Sequence, residues 1–281
     1  MPHEFFTTRQ GHRLALSVAG PADGQPVIFL HGGGQTRHAW KRSAEALGTR
    51  GWRAITVDLR GHGDSDWPGD YRIQDFAADV LELALAQTSP PVLVGASMGG
   101  LCSLLANAGT DGEVSRALVL VDIAPRLNAA GVDRILGFMA AHPEGFASLE
   151  DAADAVAGYQ PQRTQKGDPS GLKKNLRQRD DGRWYWHWDP AMLVAFQQGR
   201  AENDIHNDER FYHAAEKLTQ PVLLVRGTQS DVVDESITRE FQERIPQARV
   251  ADVGGAGHMV AGDRNDVFLE AVLEFLDGLP G

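Results

Sequence analysis

The sequence predicts an α/β protein with a mostly parallel central sheet flanked by helices. Two observations lead to this fold class: short apolar runs alternate with longer amphipathic segments, and 281 residues suffice for one large domain. The apolar runs predict eight strands, the first two as a hairpin, at 5–8, 14–19, 27–30, 54–57, 92–94, 117–121, 222–225 and 250–253. Apolar residues at three- and four-residue spacing predict helices at 38–49, 73–86, 98–108, 236–243 and 266–276.

The alternation of strand and helix stops between Asp122 and Pro221. Helices are predicted there at 131–141 and 149–157, whereas 160–170 is polar and interrupted by proline and glycine. We therefore expect a core made of residues 1–124 and 215–281. A mainly helical cap domain, residues 125–214, is expected as an insertion after the sixth strand.

Composition narrows the classes of partner. A net charge of −11 disfavours binding to nucleic acid and to anionic membrane surfaces. The single cysteine, Cys102, cannot form an intramolecular disulfide, the N-terminus does not resemble a secretory signal, and no apolar run is long enough to span a membrane. We expect a cytoplasmic protein that acts on a small molecule; nothing in the sequence indicates its oligomeric state.

The segment Gly95-Ala96-Ser97-Met98-Gly99 carries the strongest chemical information. It spells G-x-S-x-G between a predicted strand and a predicted helix. At such a turn a serine is held with its hydroxyl exposed, and the helix N-terminus behind it favours developing negative charge. The pattern alone also fits a surface turn, but the strand and the helix favour a nucleophile, Ser97.

A serine nucleophile needs a base and a carboxylate that orients the base. His258 lies in a glycine-rich loop after the last predicted strand, 250–253. Asp231 lies in the loop after the preceding predicted strand, 222–225. Each could instead be an ordinary loop residue. The order serine, aspartate, histidine at successive strand ends is a recognised triad order and favours catalysis. Asp234 is the alternative acid, and it ranks second because it lies closer to the next helix.

The run His31-Gly32-Gly33-Gly34 follows the third predicted strand and predicts an oxyanion hole. Glycines allow the backbone to approach a substrate oxygen closely, and backbone N–H groups near the nucleophile are the usual donors. The amides of Gly33 and Met98 are the predicted pair, with Gly32 and Gly34 as pocket candidates. A plain glycine-rich turn is the alternative interpretation. The run lacks the pattern of a phosphate-binding loop.

Three of the six tryptophans lie close together in the predicted cap, at Trp184, Trp186 and Trp188. Such a concentration of rigid apolar surface either anchors the cap or lines a pocket. We expect some of these side chains to anchor the cap and the others to face the substrate.

Together these residues resemble the α/β-hydrolase superfamily. The resemblance covers nearly the whole chain outside the insertion, and it includes Asp58-Leu59-Arg60-Gly61-His62-Gly63-Asp64-Ser65, which is similar to a D-x-R-G-x-G-x-S segment. That segment is typical of the cap-bearing lineage of epoxide hydrolases, haloalkane dehalogenases, cofactor-free haloperoxidases and esterases, where it shapes a loop near the site. The glycine run is also similar to that of some lipases. Epoxide hydrolases and dehalogenases of this kind use an aspartate nucleophile, so the serine at position 97 disfavours both activities.

The resemblance implies a serine hydrolase of small carboxylic esters or lactones that needs neither a metal nor an organic cofactor. Three alternatives stay open at this point. The same triad serves hydrolysis of a carbon–carbon bond in anionic ring-cleavage products, and the seven basic residues against three acidic ones in 163–183 would suit such a substrate, although a solvated basic face is the simpler reading. Cofactor-free perhydrolysis is the second. The third is a ligand-binding receptor or signalling protein of this fold.

Overall fold

The structure is a computed structural model that describes residues 1–281 except 2, 111–113, 160–167, 203–208 and 281. Its strands are β1 (His3–Thr7), β2 (Arg13–Ala19), β3 (Pro26–Leu30), β4 (Arg53–Val57), β5 (Val92–Ala96), β6 (Ala117–Val121), β7 (Leu176–Gln178), β8 (Trp184–Trp186), β9 (Val222–Gly227) and β10 (Ala248–Val253). Its α-helices are α1 (Lys41–Gly48), α2 (Ile73–Leu85), α3 (Met98–Ala108), α4 (Ala129–Ala140), α5 (Leu149–Tyr159), α6 (Pro190–Glu202), α7 (Glu209–Glu216), α8 (Glu235–Arg244), α9 (Val260–Asp263) and α10 (Asn265–Asp277). Short 3-10 helices span Arg37–Trp40 and Pro169–Lys174.

Within the described ranges, eight strands form one sheet in the order β1-β2-β4-β3-β5-β6-β9-β10. Strand β2 is antiparallel to both of its neighbours, and the pairs from β4 to β10 are parallel. All five residues of β3 and of β6 are buried, as expected of strands that helices cover on both faces. The predicted fold class is confirmed, and each of the eight predicted strands is present.

Side chains that alternate along the strands supply two apolar cores, one on each face of the sheet. Val27 and Phe29 of β3 pack with α1 and α10, whereas Ile28 and Leu30 point the other way, toward α2 and α3. Because the parallel strands run in one direction, their carboxyl ends share one edge of the sheet. The loops that leave this edge carry the residues of the candidate site.

The segment between β6 and β9 is an insertion that departs from the strand–helix alternation. It contains α4 and α5, where the sequence predicts helices, and also α6, α7 and the short antiparallel hairpin β7–β8, which it does not predict. The strands of that hairpin have three residues each, too few for a clear alternating pattern. The polar loop predicted at 160–170 lies largely outside the described residues, and the cap boundaries at 125 and 214 stay a prediction.

None of the helices in the described ranges is both long enough and apolar enough to cross a membrane.

Candidate active site

Ser97 lies at the turn between β5 and α3, where the sequence predicts a nucleophile. Its backbone is in a strained left-handed region, with φ of 47° and ψ of −119°. The turn is too tight for side chains on its flanks: a Cβ on Gly95 would lie 2.5 Å from the carbonyl oxygen of Gly99. A Cβ on Gly99 would lie 2.5 Å from the carbonyl oxygen of Leu30. This packing over-determines the turn and holds Ser97 in the wall of a cavity.

Two backbone amides beside Ser97 fit the role of oxyanion donors. Met98 is the first residue of α3, and Gly33 lies in the loop that follows β3; both line the cavity. In the part of the chain that the structure describes, neither N–H donates a hydrogen bond to a protein acceptor. The first N–H groups of a helix have no partner within the helix and favour negative charge. The pair predicted from the sequence is therefore open to a ligand oxygen.

The buried side chain of His31 fixes the direction of the Gly33 amide. Its Nδ1 lies 2.8 Å from the carbonyl oxygen of Gly32, and its Nε2 accepts a 3.0 Å hydrogen bond from the N–H of Leu59. The second contact makes Nε2 the acceptor, so Nδ1 carries the proton. Because a trans peptide is planar, holding the Gly32 carbonyl also holds the N–H of Gly33 on its opposite side. Burial lowers the pKa of His31 to about 4, which keeps the ring neutral.

A second buried histidine, His62, links the glycine loop 32–34 to Arg60 through hydrogen bonds of both ring nitrogens. Its Nε2 accepts a 3.1 Å hydrogen bond from the N–H of Gly34, and its Nδ1 lies 3.0 Å from the carbonyl oxygen of Arg60. Burial, together with the neighbouring His31, lowers the pKa of His62 to about 3. Two neutral imidazoles thus connect the glycine loop to the segment 58–65.

The segment 58–65 supports the loop and has no group at the reacting position. The buried carboxylate of Asp58 accepts hydrogen bonds from the Arg37 backbone N–H at 2.5 Å and from the Asp64 N–H at 3.0 Å, and it forms an ion pair with the Arg37 guanidinium. Ser65 donates to the carbonyl oxygen of Asp58. The structural role expected from the family resemblance agrees with these contacts.

His258 lies in the loop after β10, and its ring is held by a carboxylate that the sequence analysis does not select. Its Nδ1 is 2.7 Å from Oδ2 of Asp122, the residue that directly follows β6. Asp122 is fully buried and has a φ of 50°. Its Oδ1 accepts from the N–H of Gly227 at 3.1 Å, and Oδ2 also accepts from the Ser230 hydroxyl at 2.5 Å. With Nδ1 engaged, Nε2 is the ring nitrogen left to exchange a proton.

The structure does not place Asp231 against His258, so the predicted position of the acid is corrected. Asp231 is about one-third exposed, and its Oδ2 lies 2.8 Å from Nε of Arg134 on α4. The loop after β9 packs on the start of α4 so closely that a Cβ on Gly131 would lie 2.1 Å from the Asp231 carbonyl oxygen. The alternative acid, Asp234, caps α8 by accepting from the N–H of Ile237 at 2.9 Å.

Ser97 and His258 line the same cavity, but no hydrogen bond joins their side chains in the described ranges. Such contacts are often loose in a site without substrate and tighten when the substrate binds. A serine hydroxyl, an imidazole held by a buried carboxylate and two amides without a protein acceptor in the described residues are groups of the kind that acyl transfer requires.

The cavity, about 540 Å³ in volume, has one wall from the core, which carries Ser97 and His258, and a second wall from the insertion, which is mostly apolar. Gly32, Gly34, Trp186 and Trp188 line it, as predicted, whereas Trp184 does not. Trp184 instead pairs through its backbone with Phe146 and packs in a small cluster inside the insertion. The other apolar side chains of the insertion wall include Val132, Ile135, Leu136, Phe138, Met139, Val156 and Phe196.

Sequence reasoning misses Asp122, although one signal could find it. Asp122 is a charged residue placed directly after the five buried apolar residues of β6, and β6 lies next to β5, which carries the nucleophile. A carboxylate at the carboxyl end of that neighbouring strand reaches the same edge as the loop after β9. The chain alone does not tell which of the two loops presents its acid to the histidine.

Comparisons with known proteins agree with this geometry. The family model described as alpha/beta hydrolase fold matches residues 25–264. Esterase Rv0045c of Mycobacterium tuberculosis is 32% identical over 89% of this chain and 82% of its own length. Non-heme chloroperoxidase CPO-A1 of Kitasatospora aureofaciens is 30% identical over 96% of this chain and 98% of its own. The crystal structure of E-2-(acetamidomethylene)succinate hydrolase superposes with a TM-score of 0.84 at 24% identity, covering 99% of this chain and 100% of that one.

The match over most of the chain, the relatives that are esterases and hydrolases, and the fold agree with one another. The chain belongs to the α/β-hydrolase family and is an enzyme of that family.

Proposed function

We propose that this enzyme hydrolyses carboxylic esters or lactones through an acyl-enzyme, with Ser97, His258 and Asp122 as its triad. The observation that carries the proposal is the 2.7 Å contact between His258 Nδ1 and the buried Asp122 carboxylate, in a cavity that Ser97 also lines. A buried carboxylate in this position holds the imidazole in one tautomer and stabilises its protonated form.

In the first half of the reaction, the Ser97 oxygen attacks the ester carbonyl carbon while Nε2 of His258 takes the serine proton. The carbonyl oxygen becomes an oxyanion, and the amides of Gly33 and Met98 donate hydrogen bonds to it. The bond from carbon to the alcohol oxygen then breaks, and the imidazolium returns its proton to the departing alcohol. In the second half, water takes the place of the alcohol and releases the acid and free Ser97.

The cavity supports a substrate with a substantial apolar group. A volume of about 540 Å³ is within the usual range for small-molecule sites, and the wall formed by the insertion is mostly aliphatic and aromatic. The substrate could carry this group on its acyl or on its alcohol side. The chemistry of the triad is the same in both cases.

Carbon–carbon hydrolysis of an anionic substrate has less support. Arg177 of the basic segment donates to Asp64 at 2.8 Å, and Arg183 donates to the backbone carbonyl oxygens of Glu144 and Gly145. Residues 163–167 lie outside the described residues. Perhydrolysis has one supporting observation, the 30% identity to a non-heme chloroperoxidase, and it would use the same acyl-enzyme with peroxide in place of water.

The test is covalent labelling of Ser97 combined with turnover of simple esters. We expect a fluorophosphonate to label the wild type, and Ser97→Ala to abolish the label and lower kcat for nitrophenyl esters by about 10³-fold or more. Ser103→Ala is the matched control, because that buried hydroxyl donates to the Gly99 carbonyl oxygen within α3 and does not line the cavity. Near-normal ester hydrolysis by Ser97→Ala would overturn the proposal.

A further inference from the structure

Trp188 is the tryptophan of the insertion that is fixed most directly to the core. Its backbone forms an isolated antiparallel bridge with His62. The neighbouring residues extend this contact, because the Gly63 N–H donates to the His187 carbonyl oxygen and the Asp189 N–H donates to the Gly61 carbonyl oxygen, each at 2.8 Å. The side chain is 5% exposed and lines the cavity. Its indole ring is therefore held in one place relative to the core.

The indole Nε1 of Trp188 faces the glycine loop. Gly34 has a φ of 76°, and a Cβ placed on it would lie 3.7 Å from this nitrogen. At the other end of the glycine run, a Cβ on Gly32 would lie 3.3 Å from the Cβ of Ser97. Two residues of chain span at most about 7 Å. The indole nitrogen thus lies beside the residue that follows Gly33, at most about 10 Å from the Gly33 nitrogen, which is within the length of a small ester.

The indole N–H has no hydrogen-bond acceptor among the described residues. Met139 packs on the same face of the loop, with its Cε 3.4 Å and its Sδ 3.7 Å from a Gly34 Cβ, and a thioether sulfur is only a weak acceptor. A buried tryptophan N–H usually finds a partner, because an unpaired donor in an apolar setting loses the hydrogen bond it makes in water. This donor faces a cavity, so a bound substrate can supply the missing acceptor.

We propose that the indole N–H of Trp188 donates a hydrogen bond to the substrate and makes the enzyme select esters with an oxygen acceptor a few bonds from the scissile carbonyl. The proposal rests on the ester hydrolysis proposed above. Ether, keto, hydroxyl or second-ester oxygens are suitable acceptors. A site built around such a donor discriminates against the analogue with a methylene at that place, since binding that analogue leaves the N–H unpaired.

Trp186 also has an unpartnered indole nitrogen but offers a weaker case. Its Nε1 is buried without a hydrogen bond, and its ring packs edge-on against Phe138 and Phe146 at centroid distances of 5.7 and 5.4 Å. None of the atoms nearest to a Cβ on Gly32, Gly33 or Gly34 belongs to Trp186. Trp186→Phe therefore serves as the matched control, since it removes an indole N–H from the same wall.

The experiment compares pairs of esters that differ by oxygen in place of one methylene. On the acyl side, nitrophenyl pentanoate is paired with nitrophenyl ethoxyacetate and nitrophenyl 3-methoxypropanoate. On the alcohol side, butyl butanoate is paired with 2-methoxyethyl butanoate. For each ester, kcat/KM of the wild type is divided by that of Trp188→Phe, so the intrinsic reactivity of the ester cancels.

We expect Trp188→Phe to lower kcat/KM about fivefold to tenfold for at least one oxygen-bearing ester and less than twofold for its methylene partner. Trp186→Phe should change both members of each pair alike. Equal effects of Trp188→Phe on both members of every pair would overturn the proposal while leaving ester hydrolysis intact. Wild-type protein that neither hydrolyses an ester nor reacts with a fluorophosphonate would overturn the proposed function, and this inference with it.

A measurement on the wild type covers the case in which Trp188→Phe does not fold. Ser97 is phosphonylated with two alkyl phosphonates that differ by oxygen in place of a methylene, and the ¹⁵N-labelled indole signals are compared. We expect the N–H signal of Trp188 to move downfield only in the oxygen-bearing adduct. Identical indole spectra for the two adducts would overturn the proposal.

Discussion

The two walls of the cavity are built on different principles. On the core wall, each group near the reacting position is held by directional contacts: Asp122 contacts His258, His31 contacts Gly32, and the strained turn holds Ser97. The wall from the insertion is mostly apolar side chains, and one of its contacts with the core, the Arg134–Asp231 ion pair, is partly exposed. The core wall is therefore suited to chemistry, which needs fixed geometry, and the other wall to substrate selection.

Two single variants, in which either Asp122 or Asp231 is replaced by asparagine, give the strongest test of this contrast. We expect Asp122→Asn to lower kcat for a nitrophenyl ester by about 10⁴-fold, because an amide at this position no longer stabilises the protonated imidazole or its tautomer. Asp231→Asn should lower kcat less than threefold, since it weakens only a partly exposed ion pair, worth about 1 kcal/mol or less. Steady-state kinetics on both variants decides the matter; a larger loss with Asp231→Asn would restore Asp231 as the acid.

The orientation of the oxyanion donor can be tested through His31. We expect His31→Ala to lower kcat by up to about 10²-fold with little change in KM, because the Gly33 amide stabilises the transition state and loses its fixed direction. The control is His213→Ala, which removes a side chain 71% exposed on α7. A rise in KM with unchanged kcat would indicate that His31 shapes the binding pocket instead of the oxyanion hole.

Low pH should lower the free energy of unfolding, because the core wall contains buried histidines that are neutral in the folded protein. Burial lowers the pKa of His31 to about 4 and of His62 to about 3, below the ordinary value of 6.5. Between about pH 4 and pH 6.5, both histidines bind a proton in the unfolded chain but not in the folded protein. Stability is therefore full above pH 6.5 and falls as the pH drops toward 4, by up to about 1.4 kcal/mol per pH unit for each histidine.

Denaturant unfolding at pH 7, 6 and 5 measures this slope. In His62→Asn the slope should be shallower than in the wild type, since one ring with a lowered pKa is gone, while burial still lowers the pKa of His31, His38 and His187. His213→Asn should leave the slope as in the wild type, because that ring is exposed in both states. A His62→Asn slope equal to that of the wild type would contradict the assignment.

The fold and most of the proposed reacting groups follow from local sequence, whereas the proposed acid does not. Glycines at strand ends indicate the positions of Ser97, His258 and the amides of Gly33 and Met98. Tight turns and close backbone approach require glycine, and glycines are visible in the sequence. The choice between Asp122 and Asp231 depends on how the loop after β9 packs against α4. That packing is a contact between distant parts of the chain, and no local pattern records it.

The insertion between β6 and β9 is the least predictable region for a related reason. Its strands β7 and β8 have three residues each, too few for an alternating pattern, and Trp184 and Trp186 of β8 pack against the cluster that contains Phe146. Trp184, Trp186 and Trp188 look equivalent in the sequence. The structure separates them, since backbone pairing of Trp184 with Phe146 takes its ring into the insertion while Trp188 is paired with the core.

The contact between Asp122 and His258 also has a consequence for the order of events when the enzyme folds. The two residues are 136 positions apart, and the whole insertion lies between them in the chain. Contacts of such high sequence separation form late, because the loop-closure entropy must be overcome first. We expect the sheet to gain its secondary structure before Ser97 becomes reactive. Fluorophosphonate reactivity during refolding would then report when β6, β9 and β10 have come together, long after circular dichroism has recovered.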